Sequence, residues 1–148
     1  MQILVAFDGS AGAVAALEMA ARLARPAGGH VVALRVLNPL VDATDIVAPT
    51  AAEAVREAEK RERERLASIV ASMSGLAGVE IDLVVEALTH GEDVPEHIVR
   101  AARDRDMDLV AIASQRAAGV KGLVLGSVTQ HVLRLSGRPV LVVRPEKG

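Results

Sequence analysis

The sequence contains no cysteine, tryptophan or tyrosine, and its 148 residues include a single phenylalanine, Phe7. The lack of cysteine excludes disulfide frameworks, thiolate metal sites and cysteine nucleophiles. The lack of rings removes the stacking surfaces that most single-strand nucleic-acid binders use. Charge of one sign is also missing. Lys and Arg number 17 against 19 Asp and Glu, and the formal net charge of −2 gives no electrostatic reason to expect nucleic acid. No apolar run approaches the roughly 20 residues that span a bilayer, so no membrane contact is expected. The opening Met1-Gln2-Ile3-Leu4-Val5 has no basic n-region or cleavage site, and a cytoplasmic location is the default expectation.

What remains is an aliphatic core. Hydrophobic residues make up 51% of the chain while aromatics make up 1%. Val, Leu, Ile and Ala must therefore fill the interior, a composition suited to parallel strands covered on both faces by helices. On the usual prior of roughly 100–200 residues per domain, residues 1–148 form one domain.

Apolar runs alternate with helical periodicity along the chain. Ile3–Phe7 reads as a buried strand that stops at Asp8-Gly9-Ser10, with Ser10 placed to cap a helix whose apolar face carries Ala13, Leu17, Ala20, Ala21 and Ala24. Val31–Leu37 is a second strand, and residues 38–49 read as a loop. A long helix is expected from Thr50 to Ser74, with Val55, Ala58, Leu66, Ile69, Val70 and Met73 on one face. Its mixed-charge centre, with Glu57/Arg61 and Glu59/Arg63 at i,i+4, reads as a solvated face. Gly75 and Gly78 flank the turn into a third strand, Val79–Glu86. A helix from Val94 to Arg105, a fourth strand over residues 108–113, a helix from Ser127 to Leu135 and a last strand Val140–Val143 complete the chain. Right-handed crossovers then force a five-stranded, doubly wound parallel sheet of the α/β class, with helices on both faces. For the strand order 3-2-1-4-5, Asp8 and the Ser114–Ser127 loop face one crevice at the carboxyl ends of the strands.

The common phosphate cradles are absent. Asp8-Gly9-Ser10-Ala11-Gly12 is not a G-x-G-x-x-G turn, and no G-x-x-x-x-G-K-[ST] occurs. Arg144-Pro145-Glu146 after the last strand, and a third strand that does not end in Asp, argue against a phospho-acceptor receiver. His30, His90, His97 and His131 have no ligand-like spacing with one another, and no serine has an adjacent base that marks a nucleophile.

Phe7-Asp8-Gly9-Ser10, the Gly91 segment before Asp108-Leu109-Val110, Gly126-Ser127-Val128-Thr129 and Arg138-Pro139-Val140-Leu141-Val142-Val143 together resemble the universal stress proteins, over nearly the whole chain. The resemblance implies an α/β domain, commonly a homodimer paired through the last strand, and in many members ATP at the crevice. An uncovered apolar edge at Val140–Val143 is consistent with such pairing, and protein partners are the other expected contacts. ATP-binding members carry G-x-x-G, nine residues, then G-[ST]. Counted back from Gly126-Ser127, the first two glycines fall on Ala113 and Arg116, so the motif is half present, with Gly119 and the residues to Gly126 in typical form.

Physics separates the two substitutions. Ala113 adds one methyl where a backbone approaches phosphate, whereas Arg116 either fills the phosphate space or reaches a phosphate with its guanidinium. Gly126-Ser127 opens a helix, whose unsatisfied N–H groups attract anions, with the Ser127 and Thr129 hydroxyls nearby and Val128 between them. Ser127 serves equally as the cap of that helix, and Asp8 equally as a turn former. By the resemblance, Asp8 lies near the adenine and ribose and Val36 lines the adenine pocket. Lys121 is either a phosphate neutraliser or an ordinary surface lysine. The expected ligand is ATP or AMP, with Mg or Mn entering only with the nucleotide, in a non-catalytic binding and stress-signalling module. The alternatives are a nucleotide-free member acting through dimerisation and partner contact, and a slow ATPase with Asp8 as base.

Overall fold

The computed structural model describes residues 1–114 and 125–145. Five strands form one sheet in the order β3-β2-β1-β4-β5, all parallel. They are β1 Gln2–Ala6, β2 His30–Leu37, β3 Ile81–Ala87, β4 Leu109–Ala113 and β5 Val140–Val143. The helices are α1 Ala11–Ala24, α2 Pro39–Asp42, α3 Ala51–Ala77, α4 Val94–Asp104 and α5 Ser127–Leu135. The expected fold class and strand order are those observed.

Alternation along the strands divides the interior into two layers. Ile3, Val5 and Phe7 pack with Val31, Ala33 and Ala111 against α1 and against Leu66 and Val70 of α3. Leu4 packs with Val32, Leu34, Val36, Val110 and Ile112 against Ile98, Ala101 and Ala102 of α4 and Val132 of α5. Both faces of the sheet are thus covered, which is why its strands read as continuous apolar runs. The side of α1 toward the sheet is nearly all alanine, and small side chains let it lie close. At Gly12, a Cβ would stand 3.2 Å from Ala113 Cβ and 3.3 Å from Pro145 Cγ, so this helix meets the end of β4 closely enough that a methyl would press on both.

Caps set the helix starts. Ser10 Oγ accepts from the Ala13 amide, Thr50 Oγ1 from Glu53 and the Asp93 carboxylate from Glu96.

Three local readings change. Residues 38–49 are not wholly loop, because Asn38 caps the short helix α2. Helix α3 runs through Gly75 and ends at Gly78, whose φ of +64° is the left-handed cap that glycine favours, so the third strand starts at Ile81. The i,i+4 pairs of α3 do not form among the described residues. Arg61 turns instead to Asp45, at 2.7 and 3.1 Å, while Arg65 pairs with Glu62 at i,i+3. Among the described residues no helix is long and apolar enough to cross a membrane.

Candidate functional site

The chain turns from β1 leftward to β2 and β3, then crosses to β4 on the other side of β1. At that reversal a cavity of about 610 Å³ opens beyond the carboxyl ends of the strands, a volume suited to a small molecule. Its lining brings together Asp8, Val36, Ala113, Gly126, Ser127, Val128 and Thr129, residues up to 121 positions apart in sequence. Arg116, Gly119 and Lys121 lie outside the described residues.

The cavity has an apolar floor and two polar ends. Ala6, Leu34, Val36, Val94, Ile98 and Ile112 supply the floor. At one end, β1 stops with the Phe7 amide donating to the Leu34 carbonyl at 2.8 Å, while β2 continues to Leu37. Val36 therefore stands on an overhang, buried on the α4 side, and its carbonyl accepts from Arg35 Nη1 at 2.7 Å. Asp8 follows the end of β1. Its Oδ1 accepts from the Ser10 amide at 2.9 Å, the local turn that its residue type predicts. Burial pushes the Asp8 carboxyl up. The Ser10 hydrogen bonds and the Arg35 guanidinium outweigh that and hold it below the usual carboxylate range. Gly9 is required here on two grounds: its φ is +82°, and a Cβ would sit 2.7 Å from Leu66 Cδ2.

At the other end, α5 begins. Gly126, not Ser127, is the N-cap, and among the described residues no side chain caps this helix; the reading of Ser127 as a cap is therefore corrected. Ser127 occupies the first helical position with an exposed side chain, leaving its hydroxyl and the first-turn N–H groups at the crevice. Thr129 does not offer a second hydroxyl to an anion. It is buried, and its Oγ1 donates to the Ala113 carbonyl at 3.5 Å, tying α5 to the end of β4. The Ser114 amide donates to the Val143 carbonyl at 2.9 Å and extends the β4–β5 pairing to the cavity wall.

Sequence reasoning missed several contributors. Arg35 lines the cavity and is the one charged side chain in the apolar run His30–Leu37, a signal strong enough to have flagged it. Val94 and Ile98 come from α4, where nothing in their type distinguishes a cavity wall from core. Behind them, buried His97 faces Glu86 at 2.7 Å and Glu92 at 2.9 Å, and Arg100 binds Glu92 at 2.7 Å. Hydrogen bonds from Arg100, set against partial burial and joined by Thr89 and His97, hold the Glu92 carboxyl far below its usual range. At the opposite rim of the sheet, His30, Glu80 and Asp82 bring potential metal-ligand atoms within 4.8 Å of one another. They are half-buried or exposed, and His30 is already bonded to Asp82 and Gln2.

A family model described as the universal stress protein family matches residues 1–144. A universal stress protein of Thermus aquaticus is 30% identical over 142 residues, covering 96% of this chain and 97% of that protein. The universal stress protein of Archaeoglobus fulgidus superposes with a TM-score of 0.70 at 27% identity, over 96% of this chain and 97% of that one. A structure described as the universal stress protein from Archaeoglobus fulgidus in complex with dAMP matches with a TM-score of 0.61 at 24% identity, over 96% of each chain. A universal stress protein in complex with cAMP matches with a TM-score of 0.62 at 22% identity, over 99% of this chain and 98% of that one.

Proposed function

This chain belongs to the universal stress protein family, and from that premise we propose that it binds an adenine nucleotide, ATP or AMP, as a non-catalytic stress-signalling module. The observation that carries the reading is the crevice itself. An apolar floor of Val36, Leu34 and Ile98 lies between Asp8 and the helix start at Gly126-Ser127, which no side chain caps among the described residues. A base fits the floor, a ribose hydroxyl suits the Asp8 carboxylate, and phosphate suits the free N–H groups and hydroxyl of α5. Structural neighbours bound to dAMP and cAMP support the same ligand class. Mg or Mn enters with the nucleotide.

A binding role suits Asp8 better than a catalytic one. Its carboxylate is engaged by Ser10 and held below the usual range, which makes it a poor general base. Proteins that bind ligand only when folded gain stability by mass action, about 2.7 kcal/mol at a hundredfold excess over Kd. ATP or AMP is therefore expected to raise the melting temperature by several degrees. No shift with either nucleotide at millimolar concentration would count against the reading and in favour of a member acting by partner contact alone.

The module acts as a homodimer paired through β5. That strand is one of the two edges of the sheet, and Val140, Leu141 and Val142 are only half-buried there among the described residues. Light scattering is expected to give twice the chain mass of 15.4 kDa; a single species of 15.4 kDa at micromolar concentration contradicts the pairing.

A further inference from the structure

A chain of charged contacts runs along the outer lip of the crevice, from the loop after β2 to the end of β1. Asp42 Oδ1 lies 3.4 Å from Arg35 Nη2, and Arg35 Nε donates to Glu62 Oε2 at 2.8 Å. Glu62 also takes Arg65 through both oxygens, at 2.8 Å to Nε and 2.9 Å to Nη2. The same Arg65 Nη2 donates to the Asp8 carbonyl at 2.8 Å. Glu62 is the hub. Its side chain is 14% exposed, and Arg65 first, then Arg35, hold its carboxyl at about 2 against the opposing effect of burial.

The consequence lies in the turn these contacts reach. Gly9, with φ at +82° and no side chain, is the freest link between Asp8 and α1. A guanidinium bonded to the Asp8 carbonyl fixes the plane of the Asp8–Gly9 peptide, and the Ser10 amide, bonded to the Asp8 carboxylate, closes the turn on its other side. Gly9 gives the turn its freedom and Arg65 anchors the peptide that precedes it. On the other side of Glu62, the same carboxylate fixes Arg35, whose Nη1 occupies the Val36 carbonyl on the cavity wall. Both polar groups at this end of the crevice are therefore set from α3, a helix that itself contributes no side chain to the cavity lining.

Resting on the nucleotide reading above, we propose that Glu62 and Arg65 are positioning residues that preset Asp8 and Arg35 for the base-and-ribose end of the ligand. Order that exists before binding does not have to be created on binding, so the pair raises affinity without touching the ligand. Because it acts at the base-and-ribose end, its contribution is the same for AMP and for ATP.

The test titrates AMP and ATP separately into the wild type, Arg65→Met, Glu62→Gln and Arg63→Met. Arg63 is exposed on the same stretch of α3 and makes no ion pair among the described residues, so it controls for helix charge. Arg65→Met and Glu62→Gln are expected to weaken both nucleotides alike by about tenfold, the scale of one lost hydrogen bond. Arg63→Met should change neither by more than about twofold. Arg65→Lys should recover part of the loss, since an ammonium reaches a carbonyl but cannot fork across Glu62 as well. In the ligand-free protein, Arg65→Met should speed hydrogen exchange at the Gly9 and Ser10 amides while the melting temperature stays within a few degrees of wild type. If Arg65→Met fails to fold, Arg65→Lys carries the same comparison. Undiminished affinity in the variants of a wild type that binds overturns this inference alone. A loss confined to ATP overturns it too, since that signature belongs to phosphate charge. A wild type that binds neither nucleotide overturns both this inference and the reading beneath it.

Discussion

Two polar clusters flank the crevice, and they are built to different specifications. On the β2 side, Asp42, Arg35, Glu62 and Arg65 form a partly buried chain that ends on the backbone of a cavity residue, Asp8. On the β3 side, Glu86, Glu92, Arg100 and Arg105 close around His97, which is 2% exposed. The second cluster anchors the loop before α4 by satisfying groups that are costly to leave unpaired in the interior. The first encloses no buried imidazole, and its outer member Arg65 is 49% exposed, so the contribution of Arg65 to stability is small. What it does hold is the direction of groups that face the ligand. What each network closes on, a buried imidazole or the backbone of a cavity residue, assigns one to the fold and the other to the site.

The largest effect expected from breaking this division lies on the buried side. His97→Ala leaves the Glu86 and Glu92 carboxylates facing an empty space between them, and should cost about 2–4 kcal/mol. Urea unfolding measures that loss. Under native conditions the same variant should bind ATP within about twofold of wild type. Arg65→Met should show the reverse, affinity lost and stability kept. A His97→Ala protein that loses affinity but not stability would erase the distinction drawn between the clusters.

Acid sharpens the comparison with a smaller effect. The carboxyls of Glu62 and Glu92 are both depressed in the folded protein, Glu62 to about 2. The unfolded chain binds protons at higher pH than the folded one, so the stability from these groups is present above about pH 4.5 and drains away as pH falls toward their folded values. The melting temperature should hold between pH 7 and pH 5 and decline from pH 5 to pH 3. Glu92→Gln should lower it at neutral pH and flatten that decline, and Glu62→Gln should do both more weakly. A decline that is the same in all three proteins would show that neither cluster carries the acid sensitivity.

The fold was legible because its signals are local. Apolar runs such as Ile3–Phe7 are too short for helices, and Ser10 marks a helix start by its own chemistry. The strand order and the resemblance then agreed on where the crevice opens, and Asp8, Val36 and Ser127 meet there. The roles of individual polar groups were less legible. Ser127 reads as a cap by type, yet Gly126 takes that place, and the Thr129 hydroxyl turns to the Ala113 carbonyl. Glu62 and Arg65 were hidden in a run of charges that looks uniform in sequence. Only the approach of α3 to the ends of β1 and β2 singles them out, and that is a long-range contact no local pattern encodes. The His97 cluster was hidden for the same reason, since Glu86, Glu92 and His97 meet only when β3 and α4 pack.

The most direct test of the central claim, that the crevice between β1 and β4 is an adenine-nucleotide site, is a calorimetric titration of ATP into the wild-type protein with Mg present. The expected result is saturable heat with one site per chain, weakened when a charge is placed on the cavity floor by Val36→Glu. Absence of heat at millimolar ATP, or full binding in Val36→Glu, would contradict it.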